Sequence, residues 1–294
     1  MNEPRVQFVA EVSSNHHGSL ERCLAFVDRA AEIGCDAIKF QLFRVNELFA
    51  PEILARSAEH RRRAAWELPS DFLPAISEHA HERGLKLACT PFSLRAVDEL
   101  LPFVDFYKIA SYELLWDPLL VACARSGRPV AISTGMARSD EVAHALRVLD
   151  GAGGTELTLL HCVSGYPTPP GDANLAAIDT LRRLAHTLLD RECAVGWSDH
   201  TASAGVVQRA VHRFGASMIE FHLDLDGAGE EFAAGHCWLP EAIEAVIRDA
   251  RSALAADGSG EKVPAPSELP DRPWRADPSD GLRPLQSLRR EWHP

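Results

Sequence analysis

A chain of 294 residues with 46% apolar side chains can bury one large core, and a closed α/β barrel takes roughly 250 residues. A formal net charge of −12 excludes a broad phosphate-backbone binder, because such a protein needs an extended Lys/Arg surface to release counterions. No apolar run approaches the roughly 20 residues that span a bilayer, and Met1 to Arg5 leads straight into a strand rather than a secretory leader, so a cytoplasmic protein with neither nucleic-acid nor membrane partner is expected. From the N-terminus, apolar or β-branched runs alternate with amphipathic segments of helical length, the pattern of parallel βα units. The run Gln7–Val12 is followed by a helical segment at Ser19–Ile33, then by the run Ala37–Phe43. Arg61-Arg62-Arg63, the only dense basic run, falls in what reads as a long loop and is expected to be a solvated patch. Asp71–Arg83 is again helical in pattern, with apolar residues near a 3.6 period. The runs Lys86–Phe92, Phe106–Ser111, Pro129–Gly135, Leu157–Ser164, Ala194–His200 and Met218–Asp224 follow, with helical patterns at Asp140–Leu149 and Ser203–Phe214. Ile33-Gly34 and Arg83-Gly84 supply helix stops.

Eight repeats favour a (β/α)8 TIM barrel over residues 1–256 rather than an open doubly wound sheet. After a last helix at Pro240–Ala255 comes Asp257-Gly258-Ser259-Gly260 and a proline-rich stretch, so residues 257–294 are expected to be a tail or linker without a core of its own. Within it, Trp274–Leu285 mixes apolar anchors with charges, which predicts a segment that packs on its own or a neighbouring barrel. The seven cysteines are scattered and never form CxxC, which predicts reduced thiols and argues against a zinc ribbon or a disulfide scaffold.

Barrel active sites lie at the C-terminal ends of the strands. In chain order those ends offer Glu11, Ser13, Asn15 and His16; Lys39 and Gln41; Thr90; Lys108, Ser111 and Glu113; Ser133 and Thr134; His161 and Ser164; Ser198, Asp199 and His200; and Glu220 and His222. Alternation puts Lys39 with Gln41, Ser198 with His200, and Glu220 with His222 on shared faces. Any one of these residues has a bland explanation, since a strand-end hydroxyl often caps the next helix and a lone histidine is usually satisfied in the core. Eight polar strand ends together are hard to explain as packing, because buried charges are costly unless paired or used. Two lysines with several hydroxyls point to a phosphate or carboxylate ligand. His200 and His222 on neighbouring strands suggest a divalent metal with open positions, although imidazole accepts zinc, iron and manganese alike.

The motifs Ala10-Glu11-Val12 with Asn15-His16, Ala37-Ile38-Lys39-Phe40-Gln41, Thr90-Pro91-Phe92 and Tyr107-Lys108-Ile109-Ala110-Ser111 occur in order. They continue with Ser133-Thr134-Gly135-Met136, Leu160-His161-Cys162-Val163-Ser164, Tyr166-Pro167, Asn174-Leu175, Gly196-Trp197-Ser198-Asp199-His200-Thr201 and Ile219-Glu220-Phe221-His222. From about Phe8 to Ala255 the sequence thereby resembles the N-acetylneuraminate (sialic acid) synthase family. The resemblance implies a metal-dependent condensation in which C3 of phosphoenolpyruvate adds to the aldehyde of an open-chain sugar, releasing phosphate and a sialic-acid-like 2-keto acid. It implies that Lys39, Lys108, Ser111, Ser133, Asn174 and Ser198 hold phosphoenolpyruvate, and that His200 and His222 ligate the metal, Mn²⁺ in the family. Glu11 is then expected to orient or deprotonate the water that attacks C2, with Gln41, Glu113 and Tyr166 near the acceptor. A homodimer is also implied.

Two departures stand out. The family's C-terminal antifreeze-like domain, which lends an arginine to the acceptor pocket, is not expected in this chain; Arg275 or Arg283 of the tail is the expected substitute. The family's Asp-His near the end of the acceptor loop reads Gly235-His236, so a carboxylate is expected to be missing and the acceptor to be N-acetylmannosamine-like or a modified sugar. Two other readings compete. One is a Schiff-base aldolase with Lys39 or Lys108 as nucleophile; the other is a non-catalytic barrel kept as a sensor or partner subunit.

Overall fold

All eight apolar runs form parallel strands in the computed structural model, which describes residues 6–291. They are β1 (Gln7–Glu11), β2 (Ala37–Leu42), β3 (Lys86–Pro91), β4 (Phe106–Ile109), β5 (Val130–Ser133), β6 (Leu157–Cys162), β7 (Ala194–Asp199) and β8 (Met218–Leu223). Each pairs with the next, and β8 returns to β1 with Glu11 opposite His222, which closes the barrel. The fold is a (β/α)8 TIM barrel. Most strands stop one or two residues short of the run that announces them, at Glu11 rather than Val12 and Cys162 rather than Ser164. Side-chain alternation outlasts the last ladder bond, after which the chain turns through left-handed residues such as Ser13 (φ 49°) and Ala202 (φ 45°). Met1 to Arg5, read above as leading into the first strand, lie outside the described residues.

The helices between strands bury one stripe each. In Leu20–Glu32 that stripe is Cys23, Phe26, Val27 and Ala30, and the Ser19 hydroxyl caps the first turn by accepting from the Arg22 amide at 3.2 Å. Gly34 (φ 85°) and Gly84 (φ 75°) stop their helices in the left-handed conformation that glycine adopts without steric cost. Phe8, Phe26, Phe40, Tyr107, Trp197 and Phe221 are fully buried between barrel and helices, each contributing roughly 1.5–3 kcal/mol of transfer free energy.

A second apolar cluster fills the barrel lumen: Val9, Ala37, Ala88, Phe106, Ala131, Leu160 and Met218, one from each of seven strands. The remaining strand, β7, contributes Gly196, where a Cβ would collide with the Met218 carbonyl oxygen. The small residues fit an eight-stranded lumen only just wide enough for side chains. Two residues further along each strand, on the same face, stand Glu11, Lys39, Thr90, Lys108, Ser133, Cys162, Ser198 and Glu220. An apolar floor therefore carries a polar layer at the C-terminal mouth.

Two segments differ from expectation. Residues 45–66 are not a loop but short helices, Val45–Leu48, Pro51–Arg56 and Ala58–Arg62, followed by a 3-10 turn at Arg63–Trp66. The basic run is therefore partly anchored, with the Arg63 guanidinium 5.4 Å from the Phe49 ring and 5.5 Å from the Trp66 ring. A two-residue strand, β9 (Cys237–Trp238), pairs parallel with β8 and sets Cys237 opposite His222. The chain divides into two compact units between Leu254 and Ala255. The second contains 3-10 turns at Pro266–Glu268 and Arg272–Trp274 and a helix at Gln286–Glu291. Its order comes from polar contacts such as the Gln286 amide on Asp277 (2.8 Å) and Arg289 on Asp280 (2.9 Å). All seven cysteines are free thiols. Among the described residues no helix is long and apolar enough to cross a membrane.

Candidate active site

The polar layer begins with a buried charge network. Lys39 Nζ pairs with Glu11 Oε2, lies 3.3 Å from Glu220 Oε1 and donates to Thr90 Oγ1 at 3.0 Å. Lys108 Nζ lies 3.1 Å from Glu220 Oε2, so one carboxylate bridges the two lysines. Burial alone would lower the Lys39 pKa, but Glu11 and Glu220 outweigh it and raise the value. Burial alone would likewise raise Glu220, yet Lys108 and Lys39 hold it well below the usual carboxylate range. Gln41 Nε2 donates to Glu11 Oε1 at 2.7 Å and the Ser13 amide donates to the same oxygen at 3.0 Å, which fixes the Glu11 carboxylate at the rim.

Beside this network lie hydroxyls with unused capacity. Ser133 Oγ and Ser164 Oγ are buried without a hydrogen-bond partner among the described residues, a cost that a bound polar ligand would remove. Ser111 Oγ accepts from the Gly135 amide at 3.0 Å; a Cβ at Gly135 would collide with Ser164 Oγ and lie 2.8 Å from Ser111 Oγ. Gly135 is thus what lets three strand-exit loops converge. Glu113, on the turn Ser111–Glu113, has a buried and unpartnered Oε2, and burial pushes its carboxyl up to about 7 against the opposing pull of Lys108.

The imidazoles occupy the next position. His200 Nδ1 lies 2.8 Å from the Val163 carbonyl, which fixes it as the donor and leaves Nε2 open; burial and the neighbouring His222 push the ring down to about 3, so it is neutral. Its centroid is 5.2 Å from that of His222, and the Tyr166 ring stacks at 4.1 Å with a 38° tilt. His222 Nδ1 meets Glu231 Oε2 at 2.9 Å. Burial disfavours a charged His222, but Glu231 prevails and raises it well above its ordinary value, so positive charge at this spot is favoured. His222, Glu231, His236 and Cys237 each offer a donor atom within 4.8 Å of the others.

The structure thus brings together Glu11, Lys39, Gln41, Lys108, Ser111, Ser133 and Ser198, with His200, His222 and Tyr166 beside them. Asn174 is less closely joined: it is exposed, with a left-handed backbone (φ 42°), on the loop after Pro170–Asp172. Asp199, expected among the mouth's polar groups, is instead a buttress. Its carboxylate accepts from the Trp197 and Trp238 indoles, both at 3.0 Å, and from Thr201. Glu231 was not foreseen. Gly235 has φ 95°, a conformation in which a side chain is strained; a carboxylate, that of Glu231, stands four residues earlier on the short helix Glu230–Ala234. A cavity of about 720 Å³ lies at the opposite end of the barrel, lined by Gln7, Lys86, Phe106 and Val130, and contains none of these groups.

A model of the NeuB family matches residues 26–262. The chain belongs to the NeuB family. Among curated relatives, an uncharacterized protein of Methanocaldococcus jannaschii is 36% identical across 88% of this chain and 74% of its own length. The N,N'-diacetyllegionaminic acid synthase of Legionella pneumophila is 34% identical across 90% of this chain and 76% of its own. Among solved structures, the N-acetylneuraminic acid (sialic acid) synthetase of Leptospira borgpetersenii, in complex with citrate, superposes with a TM-score of 0.78 at 29% identity, covering 91% of this chain and 90% of that one.

Proposed function

We propose that this NeuB chain condenses phosphoenolpyruvate with an open-chain sugar aldehyde in a metal-dependent reaction that releases phosphate and a sialic- or legionaminic-type 2-keto acid. The observation that carries the reading is the Lys39–Glu220–Lys108 network lying beside buried hydroxyls that lack partners. Ammonium groups supply charge to phosphate and carboxylate, and hydroxyls supply direction. In this reading Lys39, Lys108, Ser111, Ser133 and Ser198 hold phosphoenolpyruvate, with Asn174 reaching in from its loop.

The enol C3 forms the new bond to the aldehyde carbon, leaving an oxocarbenium at C2 and an alkoxide on the former aldehyde oxygen. Water then adds to C2, losing a proton, and the tetrahedral adduct expels phosphate to leave the keto group. Glu11, held at the rim by Gln41 and the Ser13 amide, receives the water's proton. Holding both substrates at near-attack distance contributes roughly 7–11 kcal/mol. His200 and His222 fit a divalent metal, Mn²⁺ by family resemblance, because the open Nε2 of a neutral His200 is a ligand atom and the Glu231–His222 contact is the carboxylate–histidine pairing that orients metal-bound imidazoles. When bound, the metal supplies Lewis-acid polarisation of the aldehyde oxygen.

The test is phosphate release from phosphoenolpyruvate with Mn²⁺ and a panel of aldoses that includes N-acetylmannosamine and precursors of legionaminic-type acids. One aldose is expected to give stoichiometric phosphate and 2-keto acid, and silence across the panel would overturn the reading. Borohydride added during turnover is expected to leave Lys39 and Lys108 unmodified, since two carboxylates hold Lys39 in its non-nucleophilic ammonium form; a reduced adduct on either lysine selects the aldolase instead.

Glu113 gives a second check. A carboxyl at about 7 is half protonated near neutrality and can pass its proton to the new alkoxide. Phosphate release is then expected to fall as pH rises through about 7. Glu113→Gln should lower kcat and erase that limb of the profile; an unchanged limb removes Glu113 from the proton path.

A further inference from the structure

We propose that Glu231 is a positioning residue for both halves of the site: one of its oxygens orients the metal-side His222, and the other holds the Ser13 turn whose backbone amide fixes Glu11. The proposal rests on the metal-dependent reading above and keeps His200 and His222 as the ligand pair. It adds the side chain through which that pair and the water-activating carboxylate are set together.

The contacts form one unbroken path. Glu231 Oε2 meets His222 Nδ1 at 2.9 Å, while Glu231 Oε1 accepts from Ser13 Oγ at 2.5 Å and from Ser14 Oγ at 3.2 Å. The Ser13 amide in turn donates to Glu11 Oε1 at 3.0 Å. Gln41 Nε2 donates both to that Glu11 oxygen, at 2.7 Å, and to Ser13 Oγ, at 3.3 Å. The Ser13 hydroxyl therefore gives its proton to Glu231 and accepts from Gln41, and its backbone serves Glu11.

The backbone of Ser13 shows that these side-chain bonds matter. With φ 49° it occupies the left-handed region, which costs free energy in any residue but glycine. A glycine would take that conformation without strain, yet it lacks the hydroxyl that Glu231 and Gln41 both use. The residue at this turn is thus explained by its side-chain contacts and not by the shape of the turn.

The loop that carries Glu231 has anchors of its own. Arg22 Nη2 lies 3.1 Å from Asp224 Oδ1, and Arg22 Nη1 lies 2.9 Å from Asp226 Oδ2. Asn15 Nδ2 donates to the Leu223 carbonyl at 2.9 Å, and the Gly229 amide donates to Asp224 Oδ2 at 3.0 Å. These bonds dock the start of the loop without Glu231, so loss of its carboxylate loosens the site rather than the loop. An imidazole ligand needs a fixed orientation, and a carboxylate that receives a proton from water must stay within hydrogen-bond reach of it. One shared carboxylate meets both needs.

The experiment titrates Mn²⁺ into the full-length protein without substrate and reads the electron paramagnetic resonance signal of the free ion. The parent protein is expected to bind Mn²⁺, and Glu231→Gln to bind it roughly 10–100-fold more weakly, the usual cost of losing a group that orients a metal-bound imidazole. Ser13→Gly is expected to weaken binding by about tenfold, the weight of one hydrogen bond to a charged group. The double variant should bind no more weakly than Glu231→Gln alone, because Ser13 reaches the ion only through that carboxylate. A Ser13 that served only the turn would be relieved by glycine and would leave the affinity at the parent value.

The Glu11 side is read with Mn²⁺ saturating and an accepted aldose. Both single variants are expected to lower kcat while KM for phosphoenolpyruvate stays close to the parent value, since Lys39 and Lys108 keep Glu220 between them. A melting curve for each variant confirms that it is folded. Parent-like Mn²⁺ affinity in Ser13→Gly, additive losses in the double variant, or an unchanged kcat in both single variants overturns this proposal alone. A parent protein that binds no Mn²⁺ overturns it together with the metal-dependent reading.

Discussion

Lys39→Met is expected to abolish phosphate release and to destabilise the protein by roughly 3–5 kcal/mol, the usual cost of stranding a buried charge. The Lys39 ammonium is 2% exposed and holds two carboxylates at once, Glu11 and Glu220. Its removal leaves Glu220 with Lys108 at 3.1 Å but leaves the Glu11 carboxylate with only the Gln41 amide and the Ser13 backbone amide as donors. For a domain of this size the change corresponds to a fall in Tm of about 10 °C. Adding Glu11→Gln should recover much of that loss, because a neutral amide no longer needs a counterion. Turnover should stay absent in the double variant, because neither the charge for phosphate nor the carboxylate for water is restored. A single variant that melts with the parent protein would show that the network carries no net stability. The same network sets a pH dependence. Glu220 has a folded pKa below its unfolded one, so its stabilising contribution is complete above the usual carboxylate range and is lost as pH falls through the folded value.

How much of this was legible beforehand follows from which distances a sequence encodes. Alternation along a strand is local, so Lys39 with Gln41 and Glu220 with His222 could be put on shared faces, and the structure seats them in the barrel mouth. Contacts across the lumen are not local. Nothing in the spacing of β2, β4 and β8 says that Glu220 bridges Lys39 and Lys108, and for that reason Glu220 was recognised as a polar strand end but not as the centre of the network. The helices at 45–56 are four and six residues long, too short for a 3.6 period to declare itself. Strand β9 has two residues, too few for alternation. Glu231 therefore carries no pattern that singles it out, and Cys237 is one of several scattered thiols. The available signal was the Gly235-His236 departure itself, because a glycine in place of an expected carboxylate invites a search for another acid nearby.

His222→Ala is the other change with a large expected cost. It should lower turnover by about a thousandfold or more, since losing Lewis-acid stabilisation worth several kcal/mol, taken as about 4 kcal/mol, removes about three factors of ten in rate. The variant should still fold. The Glu231 carboxylate that loses its imidazole partner keeps the Ser13 and Ser14 hydroxyls and His236, and β8 keeps its ladder to β1 and β7. Chelation of the parent protein should have the same effect on turnover, reversed by adding a divalent ion back. His200→Ala should also stop turnover, because its open Nε2 is the second ligand atom. Bound metal gives a second readout, measured on the purified variants by elemental analysis. Loss of the ion in both variants assigns it to His200 and His222, and retention in either variant removes that histidine from the ligand set. Full turnover after exhaustive chelation would remove the metal from the mechanism, and the charge at His222 would then be a proton held by Glu231.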